Sequence, residues 1–103
     1  MGKVDEAITE LAKDNPRAKA GPLRMYAETA MTYAEASESV KRLGAVVVHP
    51  KTGAPMENPY LRIRERQVAI MLKIRGIDGG RVIALLEKQI KEAAAAKEAE
   101  DAE

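Results

Sequence analysis

Two helix-length stretches, each punctuated at both ends and joined by a short extended excursion, constrain residues 21–76 more than any other feature of the chain. The first reads GPLRMYAETAMTYAEASESVKRLG, the excursion AVVVHPKTGAPMEN, and the second PYLRIRERQVAIMLKIRG. Gly21-Pro22 opens the first helix, because proline in an opening turn gives up only an amide that has no helical partner. Gly44 closes it with the left-handed residue that helix ends favour. Asn58-Pro59 opens the second with a capping side chain followed by proline, and Gly76 closes it. Helices connected in this way lie antiparallel. The excursion holds the β-branched run at 45–48, the turn His49-Pro50-Lys51-Thr52-Gly53 and a returning segment at 54–57, so it predicts a β-hairpin at the tip.

The expected fold is therefore mainly α. An antiparallel helical hairpin over residues 21–76 carries a short β-hairpin at its tip and is flanked by an N-terminal and a C-terminal helix. Residues 1–20 supply a short amphipathic helix, with Val4, Ala7, Ile8 and Leu11 at helical spacing, and then a basic linker. The helix stops before Pro16, which pushes Asn15 away from helical dihedrals. Residues 77–103 supply the last helix, capped by Asp78, with Val82, Ile83, Leu86 and Ile90 as its stripe. Two glycines in its first turn weaken it. Beyond Ile90 the stripe fades into an alanine-rich acidic tail, expected to fray or stay disordered when alone.

A chain of 103 residues forms one domain at most, and this one has no Phe, no Trp and three Tyr with which to build a core. Such thin stripes are better covered by copies of the same chain, although a small monomeric bundle is the competing outcome. The contact line for self-association is the seam Leu23, Tyr26, Ala30, Tyr33, Ser37 and Val40, whose members alternate three and four apart. Its oligomerisation candidates are Leu23, Tyr26, Ala30, Tyr33 and Val40. Glu28, Glu35, Glu38 and Lys41 fall outside the seam, on the wet side.

Net charge is +1 but unevenly spread. Between residues 58 and 91 eight basic residues stand against three acidic ones, a net of +5, and from Glu92 onward the balance turns acidic. A basic body with an acidic tail suits a nucleic-acid surface beside a separate partner-binding segment; an ordinary solvated surface is the plainer reading. On the second long helix, Arg62, Arg66 and Lys73 line one ridge, as a row of phosphate contacts requires. Arg17, Lys19 and Arg24 are expected to help, and Arg64 and Arg75 to point elsewhere. The tail residues Glu98, Glu100, Asp101 and Glu103 are the partner-binding candidates.

Enzymatic chemistry is not expected. Cysteine is absent, which removes disulfides and thiolates and fits a reducing compartment. The sole histidine, His49, sits in a turn without a second ligand nearby. Gly76 and Gly79-Gly80 do not form a phosphate-cradling loop. No metal or cofactor is expected, and no residue is a catalytic candidate. No apolar run approaches the ~20 residues of a membrane span, and the N-terminus lacks a signal-peptide pattern. The expectation is a cytoplasmic protein.

Leu23-Arg24-Met25-Tyr26-Ala27, then Tyr33-Ala34-Glu35-Ala36, then Leu43-Gly44-Ala45-Val46-Val47, and finally Gly53 with Asn58-Pro59-Tyr60-Leu61 resemble the small terminase subunit of tailed bacteriophages. The likeness runs from Leu23 to Gly76, about half the chain, and rests on the order and spacing of these motifs. It implies a DNA-packaging factor that forms a homo-oligomeric ring in the bacterial cytoplasm. Such a factor binds double-stranded DNA and presents it to the large terminase subunit, which holds the ATPase and nuclease. After Gly76 the pattern departs: Ile77-Asp78-Gly79-Gly80-Arg81 stands where the family often has a Leu-Thr-Pro-Ser-type helix start. Only one small helix precedes the matching core. This brevity suits a reduced form such as the small terminase of a phage-derived gene transfer agent. Two other readings stay open from the residues alone: a small DNA-associated regulator, and a non-enzymatic self-assembly module with a partner-binding acidic tail.

Overall fold

The chain order is α1 (Lys3–Asp14), α2 (Ala20–Leu43), β1 (Val46–Val48), β2 (Pro55–Glu57), α3 (Pro59–Lys73) and α4 (Gly80–Asp101). The structure is a computed structural model that describes residues 2–101, with side chains described through Lys97. Mainly helical, with a two-stranded antiparallel hairpin between α2 and α3, it has the expected architecture. α2 is the central element, packing against α1, α3 and α4.

Local chemistry explains most boundaries. Pro22 falls in the first turn of α2, where its missing N–H removes no helical bond. Gly44 ends α2 at φ 85°, a region that costs other residues strain, and its N–H donates to the Val40 carbonyl at 2.8 Å. Asn58 does two jobs from a fully buried position. Its Oδ1 accepts from the Tyr60 N–H at 3.0 Å, capping α3, while its Nδ2 donates to the Gly44 carbonyl at 2.9 Å. The two ends of the helical hairpin are thus tied through one side chain. Asn58→Ala should lower unfolding free energy by about 1–2 kcal/mol through the lost cap and the stranded Gly44 carbonyl. Chemical denaturation of that variant measures it.

The β-hairpin pairs Val46 with Glu57, Val47 with Met56 and Val48 with Pro55. His49 shapes its turn: Nδ1 accepts from the backbone N–H groups of Lys51 at 3.1 Å and Thr52 at 3.3 Å.

One core joins Ala7 and Leu11 of α1, Leu23, Tyr26, Ala27, Ala30, Met31 and Ala34 of α2, and Val82 and Leu86 of α4. α3 has no buried residue and meets this core only through half-buried side chains, Met71 and, at its C-cap, Ile74. The junction of α1, α2 and α4 is held by polar groups around Asn15. Its Nδ2 donates to the carbonyls of Leu11 at 2.9 Å and Asp78 at 2.8 Å, and its Oδ1 accepts the Asp78 N–H at 2.7 Å. Beside it, Arg81 donates to Asp14 at 2.8 Å and to the Glu10 carboxylate at 3.0 Å. Bonds from Lys13 and then Arg81 hold the Glu10 carboxyl below the usual glutamate range. Gly79 is buried against Tyr26. A Cβ there would come within 3.0 Å of the Tyr26 ring and hydroxyl, so only glycine allows α4 to start so close to α2.

Three details differ from the sequence expectation. α3 ends at Lys73, not at Gly76; Ile74 already has ψ 95° and its N–H reaches back to the Met71 carbonyl at 3.1 Å. The seam residues Leu23, Tyr26 and Ala30 are buried inside the chain's own bundle, between α1 and α4, while Tyr33 and Val40 are half-buried. α4 does not fray after Ile90 but runs helical to Asp101. Alanine has the highest helix propensity, and the stretch is partly supported: Ile90 and Ala94 border a shallow hollow with Leu43 and Tyr60, and Lys41 pairs with Glu87 at 3.9 Å.

Candidate nucleic-acid interface

α3 lays the ridge across the outside of the molecule. At ~100° per residue, Arg62, Arg66 and Lys73 fall within a sector of roughly 40°, and all three are exposed. Arg62 stands 3.7 Å from Glu57 of β2, a solvent-exposed pair that water and salt largely screen. Arg66 and Lys73 make no ion pair among the described residues. Ile70 and Leu72, 36 % and 79 % exposed, flank this ridge at ~40° and ~80° from its edges, so α3 carries exposed apolar side chains on either side of its cations.

The linker cations reach the same region from another direction. Arg17 and Lys19 line an open concavity of about 430 Å³ together with Arg75, Asn15, Pro22, Gly76 and Ile77. A second hollow, bordered by Gly21, Pro22, Met25, Lys73, Ile74 and Arg75, adjoins it and shares Pro22 and Arg75. The structure therefore brings Arg17, Lys19, Lys73 and Arg75 to one corner. Arg24 does not join them: its guanidinium lies 3.7 Å from Asp5 of α1 and 3.8 Å from Glu28, on the α1 side of α2.

Arg75 joins this corner although helical spacing predicts that it points elsewhere. A helix continued to Gly76 would put it nearly opposite Lys73, but the chain leaves the helix at Ile74 and Arg75 follows the loop instead. The signal that could have found it is Lys73-Ile74-Arg75-Gly76 itself, a helix end with glycine after the basic pair.

The remaining candidates sort simply. Glu98, Glu100 and Asp101 lie on the α4 backbone with their side chains outside the described residues, and Glu103 lies outside the described residues altogether. His49 is occupied as a turn acceptor. Among the described residues no group of three His, Cys, Asp or Glu could hold a metal ion, and no helix is long and apolar enough to cross a membrane. Comparison with protein-family models, with curated proteins and with solved structures finds no match.

Proposed function

We propose that this chain is a DNA-packaging factor of the small-terminase type. In this reading it is a non-enzymatic, self-associating cytoplasmic protein that binds double-stranded DNA and presents it to a large-subunit ATPase and nuclease. The observation that carries the proposal is α3, a 15-residue helix with no buried residue. It offers a row of exposed cations flanked by uncovered apolar side chains, which are the requirements of a polyanion and of a neighbouring subunit.

The shape of the chain supports self-association. Its radius of gyration is 15.6 Å with extents of 50 × 33 × 18 Å, against about 13 Å for a compact domain of this length. Its accessible surface of 7177 Å² exceeds by roughly 1,500 Å² the surface usual for a monomer of this mass. An elongated chain of this kind leaves surface that neighbours can cover, and a standard contact takes about 800 Å² from each partner. The acidic end of α4 is assigned to the large subunit, since it is poorly suited to touch DNA.

DNA binding on this account is electrostatic and largely blind to sequence. Affinity for a duplex should fall by orders of magnitude between about 50 and 200 mM salt, as neutralised phosphates release their counterions. Removing Arg62, Arg66 and Lys73 together should weaken binding to all sequences alike and reduce the log–log salt slope by about 2–3. Titration of labelled duplexes at several salt concentrations tests both points. A slope near zero would make the ridge an ordinary solvated face, and one sequence bound far better than the rest by a dimer would favour the regulator reading.

A further inference from the structure

We propose that the corner formed by Arg17, Lys19 and Arg75 is a preorganised phosphate clamp that grips the duplex backbone at the end of the α3 ridge. This rests on the DNA-binding reading and assigns the anchoring contact to residues outside the helix that suggested it.

Two distant segments converge on the corner. Arg17 and Lys19 come from the linker after α1 and Arg75 from the loop after α3, almost sixty residues away, yet all three line one concavity. No carboxylate is among the residues lining it. Asp14 is occupied by Arg81, and Asp78 is turned to the α4 start, where its Oδ1 accepts the Gly80 N–H at 3.3 Å. Among the described residues, none of the three cations has an ion-pair partner. Like charges gathered in a hollow repel one another and focus a positive potential, and a bound polyanion relieves the repulsion.

The corner is also rigid. The two walls of the hollow are not independent loops. Asn15, at the root of the linker, exchanges two hydrogen bonds of 2.7 and 2.8 Å with the backbone of Asp78, which follows the other wall. Asn15 is itself buried and bonded to α1 at 2.9 Å. The cations are therefore mounted on a braced frame, and less ordering is needed when a phosphate arrives. Chemistry then distinguishes the members: guanidinium groups can hold two phosphate oxygens at once, while Lys19 acts as a point charge. The neighbouring hollow carries the site on to Lys73, the last cation of the ridge. A duplex seated in the corner can thus continue along α3 to Arg66 and Arg62.

The test compares three variants of the full chain on a random-sequence duplex and on inorganic phosphate. They are the corner triple Arg17→Ala/Lys19→Ala/Arg75→Ala, the helix double Arg62→Ala/Arg66→Ala, and a charge-matched control, Lys88→Ala/Lys91→Ala/Lys97→Ala. The corner triple should lose duplex affinity tenfold or more, with a salt slope smaller by about 2.7, and the helix double should lose less, with a slope smaller by about 1.8. The control should lose less than about threefold. Melting temperatures should stay at the wild-type value, since the corner side chains are exposed. Inorganic phosphate should displace the duplex from wild type only at high concentration, because one anion lacks the neighbouring phosphates. If the corner triple binds as wild type does while the helix double weakens, the clamp is overturned and the DNA-binding reading stands. Equal losses from corner and control would reduce the effect to net charge and also overturn the clamp. A wild-type chain that binds no duplex at low salt would remove both.

Discussion

Gly79→Ala should destabilise the protein by about 1–3 kcal/mol, as overpacking of a filled site usually does. For a domain of this size that lowers the melting temperature by roughly 5–20 °C. The added methyl would sit inside the space now held by the Tyr26 ring and hydroxyl. Tyr26 is buried between α2 and the other helices, so its ring can move only by opening the core. Gly80→Ala provides the contrast. A Cβ there meets nothing closer than 3.8 Å, and replacing a helical glycine by alanine ordinarily stabilises by roughly 0.5–1 kcal/mol. Adding Tyr26→Leu to Gly79→Ala should recover part of the loss, because it removes the atoms that collide. A melting curve for Gly79→Ala that overlays the wild type would mean that α4 does not begin against Tyr26.

Leu72→Asp should abolish self-association while leaving the fold of the single chain intact. Leu72 is 79 % exposed, so within one chain an aspartate there is solvated and harmless. Covered by a neighbour, the same charge would be unpaired in an apolar contact, at a cost of several kcal/mol. This variant separates folding from assembly better than a charge in the α2 seam would. Tyr33 is already half-buried by its own chain, and Leu23, Tyr26 and Ala30 are wholly so; charging any of these disturbs the core as well. The measurement pairs native mass with thermal melting. Assembly retained by Leu72→Asp would show that the α3 face is not where copies meet.

The helices were legible because their ends carry chemistry that acts locally. Asn58-Pro59 needs only its own cap bond to start α3, and Gly44 ends α2 by its backbone angle alone. The β-hairpin was equally legible, since a β-branched run next to a proline–glycine turn has few alternatives. What the sequence hid depends on contacts between distant segments. Gly79 looks like a defect in a helix start until Tyr26, more than fifty residues earlier, is seen to fill the space. The α2 seam reads as a contact line, but periodicity does not say whether α1 and α4 or another subunit will cover it. The candidate site divides in the same way. Arg62, Arg66 and Lys73 share a helix, so their common face follows from spacing. Arg75 sits beyond the helix end, and its approach to Arg17 and Lys19 is a product of the tertiary fold.

Native mass spectrometry of the intact protein, alone and with a duplex in low salt, tests most directly whether this is a self-assembled DNA-packaging subunit. One dominant species of many 11.2 kDa copies is expected, with the same stoichiometry when the duplex is bound. A chain that stays at 11.2 kDa at micromolar concentration and forms no adduct with the duplex would contradict it.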